Sequence, residues 1–92
     1  MKRLSADELR QSHEVLRFDF VRVELDLAIT FCEIALSAET DTKARRNAAH
    51  AHRAYSAAMR FLEGATLTNV MGLEINERIA RLGAMLENLD RG

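Results

Sequence analysis

Apolar side chains recur every three or four residues along most of the chain, and nowhere do they alternate with polar ones over a sustained stretch. The first spacing is typical of helices, whereas alternation is typical of half-buried strands. The sequence has no proline and only four glycines, so few residues interrupt the helical pattern. The pattern therefore predicts an all-α protein with a single domain over residues 1–92.

The apolar pattern divides into three helices of unequal length. We predict them over residues 6–38, 41–63 and 68–89. Short connections favour an antiparallel, three-helix, up-down-up bundle. At about 1.5 Å per residue, the long first helix extends well beyond the other two at its N-terminal end.

Capping residues support these boundaries. Ser5 begins a capping box, because its hydroxyl can accept a hydrogen bond from the backbone N–H three residues further on. Thr40 or Asp41 can cap the second helix, and Thr68 can cap the third. Gly64 is expected to end the second helix as its C′ residue.

The first helix is apolar around more than half of its circumference over residues 18–36. A surface helix needs an apolar stripe only a little over ~100° wide, so two neighbouring helices would leave part of this arc uncovered. We expect a second copy of the chain to cover the remainder, which completes a larger bundle as a homodimer. The surface predicted to mediate self-association consists of Leu9, Leu16, Phe20, Val23, Leu27, Phe31 and Ile34.

If the first two helices fold back on each other at residues 39–40, large residues of the first helix lie at the same height as alanines of the second. Small side chains let two helices approach closely while the large ones fill the space between them. The same folding places two phenylalanines level near the far end. The level pairs are Phe31–Ala48, Ala28–Ala51, Leu25–Ala54, Val21–Ala58 and Phe18–Phe61.

Charged residues of the first two helices form two stripes, each with seven-residue spacing. Opposite charges at equal heights favour ion pairing or registry, either within the hairpin or across a dimer. Exposed pairs of this kind contribute typically under ~1 kcal/mol each, so their value would lie in fixing the register. The level pairs are Asp19–Arg60, Asp26–Arg53 and Glu33–Arg46.

Charge and composition limit the possible functions. The 13 Lys and Arg against 14 Asp and Glu give a net charge of −1, so no overall basic field favours nucleic acid. The arginine stripe Arg46, Arg53 and Arg60 leaves local, weak nucleic-acid binding as one alternative. A single cysteine and three histidines without ligand spacing predict no metal site. Charged residues in the apolar segment and in the first ten residues argue against a membrane span or signal peptide and favour the cytoplasm.

Four polar residues are candidates for something beyond structure. Glu24 projects from the apolar arc level with Tyr55, where a hydroxyl or an arginine could hold it. The segment AHAHRAYSAA, which includes His50, is similar to the helix that carries the phospho-accepting histidine in histidine phosphotransfer domains. In that family lysine follows at +3 and glycine at +4, whereas Arg53 and Ala54 follow here. This resemblance implies an alternative role in signalling.

No convergent cluster of nucleophile, base and oxyanion donor is evident. We therefore expect no catalytic residues and no cofactor. The interpretation that we favour is a small, non-catalytic, self-associating interaction or scaffold protein, with a possible further protein partner.

Overall fold

The computed structural model describes residues 5–63, 65 and 67–91. These residues form three α-helices and no strand: α1 over Ala6–Leu36, α2 over Asp41–Leu62 and α3 over Asn69–Arg91. The all-α class and the three predicted helices are confirmed. Every helix end lies within two residues of its predicted position.

Hydroxyl side chains cap the helices as predicted. Thr40, rather than Asp41, caps α2. The predicted C′ residue of α2, Gly64, lies outside the described residues. The cap hydroxyls accept hydrogen bonds from backbone N–H groups three residues further on: Ser5 from Glu8 (3.1 Å), Thr40 from Lys43 (3.2 Å) and Thr68 from Met71 (3.2 Å).

α1 is the centre of the fold, because α2 and α3 both pack against it and contact each other little. Phe20 of α1 lies beside Phe61, and Phe31 lies beside His50, so α2 runs antiparallel to α1. Ion pairs Asp26–Arg78 and Glu33–Arg81 show that α3 runs parallel to α1. The helices therefore alternate in direction as predicted.

The core lies along one side of α1 and includes three alanines of α2, Ala51, Ala54 and Ala58. Ala51 and Ala58 have no exposed surface, and Leu25 of α1 has none either. Ala51, Ala54 and Ala58, which were predicted to lie level with residues of α1, are therefore all part of the core. The buried cluster comprises Phe18, Val21, Leu25, Ala28, Ile29, Cys32, Ala51, Ala54, Ala58, Ile75, Leu82 and Leu86.

The chain is more elongated than a compact domain of its size. Its radius of gyration is 16.0 Å, whereas a compact 92-residue domain is expected at about 12 Å. The principal extents are 54 × 26 × 17 Å, so the bundle is long and thin. The long axis reflects the 31 residues of α1, which extends past helices of 22 and 23 residues.

One aromatic pair differs from the sequence-based expectation. Phe61 lies against Phe20, with ring centroids 4.1 Å apart, and not against Phe18. Phe18 is instead buried in the core. Equal height along two helices does not fix the direction in which a side chain points, and a shift of two residues turns a side chain by about 200°.

The predicted pairing of the two charged stripes within the hairpin was also wrong. Asp26 accepts a hydrogen bond from Arg78 of α3 at 2.8 Å, and Glu33 accepts one from Arg81 of α3 at 3.1 Å. Asp19 pairs with Arg22 of its own helix at 3.3 Å. The acidic stripe of α1 therefore faces α3. Pairing with α2 was predicted from residue heights alone, and height does not show which side of α1 each neighbouring helix occupies.

Candidate interaction surface on α1

Six large apolar side chains of α1 form a line that the described part of the chain leaves uncovered. Each is between 38% and 66% exposed. We call this line the open face; its residues are Leu9, Leu16, Phe20, Val23, Leu27 and Ile34. Six of the seven residues predicted for self-association therefore lie on one exposed surface, and their role in self-association stays a prediction.

The seventh predicted residue, Phe31, belongs to the packing between α1 and α2. Its ring lies 5.0 Å from the imidazole of His50, between ring centroids, and it packs against the core. Phe20 occupies an intermediate position, because its ring contacts Phe61 yet remains 38% exposed. Phe20 thus forms the edge of the open face that borders α2.

The open face follows a heptad repeat, which sequence reasoning had not recognised. Its residues are separated by seven, four, three, four and seven positions. Alternating steps of three and four are typical of the contact line of a coiled coil. The two longer steps each skip one position of the repeat, and these positions hold exposed His13 and Thr30. The signal was present in the sequence but was hidden among the core residues of the same helix.

Two flanks border the open face; one carries both signs of charge and the other is acidic. On the side of α2 lie Arg17, which lines a shallow cleft with Arg60 and Phe61, and Glu24. On the side of α3 lies an acidic flank of Asp19, Asp26 and Glu33, and each of these carboxylates pairs with an arginine of its own chain.

Arg78 forms the shortest ion pair of the acidic flank. Its guanidinium bonds Asp26 at 2.8 Å and lies 3.7 Å from a carboxylate oxygen of Glu74, one turn earlier on α3. The hydrogen bond to Asp26 is the largest cause that raises the pKa of Arg78. The pair therefore stays charged wherever the carboxylate is ionised.

The four candidate polar residues do not form one site. His50 and Arg53 are in contact, since the Arg53 guanidinium donates to His50 Nδ1 at 2.7 Å. Tyr55 is partly buried and packs against the core. Glu24 is partly buried, and among the described residues neither a hydroxyl nor an arginine holds it, contrary to our expectation.

The three arginines of the α2 stripe, Arg46, Arg53 and Arg60, are exposed. None of them forms an ion pair within the described ranges. The stripe thus presents positive charge to solvent, as the nucleic-acid alternative requires.

A cleft between the C-terminal end of α3 and the start of α2 has a volume of about 360 Å³. It is wide open, and its lining residues are Asp41, Ala44, Arg45, Ala48, Leu89 and Asp90. Nearby, His52 Nε2 lies 3.7 Å from an Asp90 carboxylate oxygen. The polar residues around the cleft are exposed, and they define no enclosed ligand site.

The residues that the structure describes contain no group of three or more metal-ligating side chains. Cys32 is fully buried, and burial, followed by the charges of Asp90 and Glu33, raises the pKa of its thiol. A buried thiol with a raised pKa is unreactive. Within the described ranges, none of the helices combines the length and apolarity required to cross a membrane.

Comparisons with known proteins gave no match: no family model, no curated protein and no solved structure is significantly similar to the chain. Functional inference therefore rests on the open face and its surroundings.

Proposed function

We propose that this protein is a non-catalytic helical interaction module, and that it acts by associating through the open face of α1, first with a second copy of itself. The observation that carries the proposal is the exposed apolar line from Leu9 to Ile34. At 1.5 Å per residue this line is about 38 Å long.

The physical reason is the cost of leaving such a surface in water. Burial of apolar surface contributes roughly 25 cal/mol per Å². Single exposed apolar residues are common, but a contiguous apolar surface is typical of an interaction site. Half-exposed leucines at heptad spacing supply such a surface along α1.

The non-catalytic part of the proposal rests on where the polar candidates lie. His50 contacts Arg53 and the ring of Phe31, while Glu24 and Tyr55 make no hydrogen bond to each other. General acid–base or nucleophilic chemistry needs convergent groups within hydrogen-bond reach. A further protein partner and a cytoplasmic location stay predictions.

The test compares two leucines of equal exposure on different helices. Leu16 on the open face and Leu73 on α3 are both 66% exposed. Leu16→Glu is expected to weaken self-association at least ~10-fold, because a dimer would bury the new carboxylate among apolar side chains. Leu73→Glu adds the same charge away from the open face and is expected to leave association unchanged.

The measurement is sedimentation equilibrium of the wild type and both variants over about 5–300 µM, since dimer formation depends on concentration. Circular dichroism would verify that each variant keeps its helices. If Leu73→Glu dissociates the dimer and Leu16→Glu does not, the interaction surface lies on α3. If the wild type is monomeric throughout, the proposal itself fails.

A further inference from the structure

We infer that two copies of the chain pair their α1 helices antiparallel, on a two-fold axis that passes between Val21 and Arg22. This inference rests on the proposed self-association and specifies its geometry. A two-fold interface uses the same surface on both copies, so every contact occurs twice.

The heptad pattern of the open face favours this register. With the axis between Val21 and Arg22, every apolar residue of the open face lies opposite another apolar residue, and the two polar positions lie opposite each other. Shifting the register by one heptad places a polar position opposite Val23 or Phe20 instead. The opposed residues in the favoured register are Leu9–Ile34, His13–Thr30, Leu16–Leu27 and Phe20–Val23.

Burying the polar positions costs little in this register. The hydroxyl of Thr30 already donates to the backbone carbonyl of Asp26 at 3.0 Å. Thr30 can therefore present its methyl group to the second copy without leaving a donor unsatisfied. His13 then lies against that methyl group, with its ring edge towards the N-terminal end of α1 and solvent.

Charges beside the open face favour the same orientation. On the α2 side, Arg17 lies close to Glu24 of the second copy, and the two-fold axis generates this attractive pair twice. On the α3 side, Asp19 approaches Asp26 of the second copy. Arg22 and Arg78 already neutralise these two carboxylates, at 3.3 and 2.8 Å, so the like charges are compensated within each chain.

A parallel pairing lacks these advantages. In a parallel coiled coil, each residue of the contact line faces its own equivalent, and flanking residues pair with those five positions further on. Asp19 would then face Glu24 of the second copy, twice, and Arg17 would face uncharged Ser12. The antiparallel arrangement places Glu24 opposite Arg17, whereas the parallel one places it opposite a carboxylate that Arg22 already compensates, so only the antiparallel one adds an attractive pair.

The extension of α1 fits the antiparallel arrangement as well. Leu9 and Leu16 are 51% and 66% exposed, and they lie on the part of α1 that extends past the other helices. Antiparallel pairing places them against Ile34 and Leu27 of the second copy, where that copy's own α2 and α3 support its α1. Each extension is thereby covered.

Disulfide trapping between single cysteines tests the orientation. In a Cys32→Ala background, Leu16→Cys and a size-tagged Leu27→Cys are mixed, left to exchange subunits and oxidised. Antiparallel pairing places the two cysteines opposite each other, whereas two copies of Leu16→Cys hold theirs about 16 Å apart, well beyond the ~7 Å that a disulfide spans. Leu73→Cys mixed with Leu27→Cys controls for random oxidation.

The expected result is a mixed tagged–untagged product at least ~10-fold in excess of either homodimeric product. Homodimeric products alone would show parallel pairing and overturn the inference while leaving self-association intact. A dimer in sedimentation that no combination cross-links would overturn this pairing, because the contact would then use another register of α1 or another surface. Monomers in sedimentation would refute self-association, and this pairing with it.

Discussion

The two faces of α1 are built from similar residues but have different surroundings. Leu25 and Leu27 are two positions apart on the same helix, yet Leu25 is 0% exposed and Leu27 is 42% exposed. The core face meets Ala54 and Ala58 of α2, whose small side chains bring the two backbones close together. No helix of the described chain covers the open face.

This difference shows that the neighbouring helix, rather than the composition of α1, decides which apolar residues are buried. An apolar residue on either face gains free energy when it leaves water. For the core face that gain contributes to folding; for the open face we propose that it contributes to association. Changes on the two faces should therefore affect different measurements.

The largest expected effect is that of Leu25→Ala on folding. Truncating a fully buried leucine leaves a cavity and costs about 2–5 kcal/mol, a large fraction of the ~5–15 kcal/mol that stabilises a typical domain. Leu27→Ala is the matched control, and urea denaturation at about 1 µM, where we expect monomers, should show a loss below ~1 kcal/mol. Equal losses for the two variants at this concentration would contradict the separation of the faces.

Ala51→Leu should be the next most damaging change. Ala51 has no exposed surface, so a larger side chain would push α1 and α2 apart and cost about 1–3 kcal/mol through overpacking. Ala49→Leu, two residues earlier on the exposed side of α2, is expected to change the free energy of unfolding by less than ~0.5 kcal/mol. A neutral Ala51→Leu would show that the packing of α2 against α1 is wrong.

Arg78→Ala should have a smaller effect and lower the free energy of unfolding by on the order of 1 kcal/mol. Its side chain is 24% exposed and pairs with Asp26 and Glu74, whereas Arg81 is 63% exposed and pairs with Glu33. Because solvent screens the more exposed pair, Arg81→Ala is expected to cost only a few tenths of a kcal/mol. Thermal unfolding at low and high salt would check the order; a larger loss for Arg81→Ala would contradict it.

Cys32→Ala should be mild at neutral pH, with a loss of about 1 kcal/mol, comparable to that for Arg78→Ala, and with no response to reductant. Burial raises the pKa of the Cys32 thiol above its ordinary value of 9.0. Above about pH 9 the unfolded chain therefore loses the thiol proton more readily than the folded chain, and stability falls as pH rises through the folded pKa.

Replacement of Cys32 by alanine removes this contribution to the alkaline loss. Urea denaturation at pH 7 and pH 10 should show a smaller decrease for the variant than for the wild type. Equal decreases would mean that burial does not disfavour ionisation of the thiol.

Local features of the fold were predictable from the sequence. Ser5, Thr40 and Thr68 cap helices because the interaction involves only residues three apart in the chain. Ala51 was correctly placed against α1, because the short turn fixes the heights of residues on two antiparallel helices.

Features that depend on direction around a helix were not predictable in the same way. Asp26 was predicted level with Arg53 but pairs with Arg78, since height alone does not say which neighbour a stripe faces. Phe20, rather than Phe18, contacts Phe61 for the same reason. Six residues of the open face were predicted individually, whereas Phe31 was misplaced because its ring packs beside His50 of α2. The heptad spacing of the open face became apparent once the core residues of α1 were known.

The central claim is that the open face of α1 is an association surface, and the mass of the wild-type protein in solution tests it most directly. Sedimentation equilibrium should give an average mass that rises with concentration towards twice the 10.4 kDa of the chain. A mass that stays at that of one chain up to about 300 µM would contradict the claim.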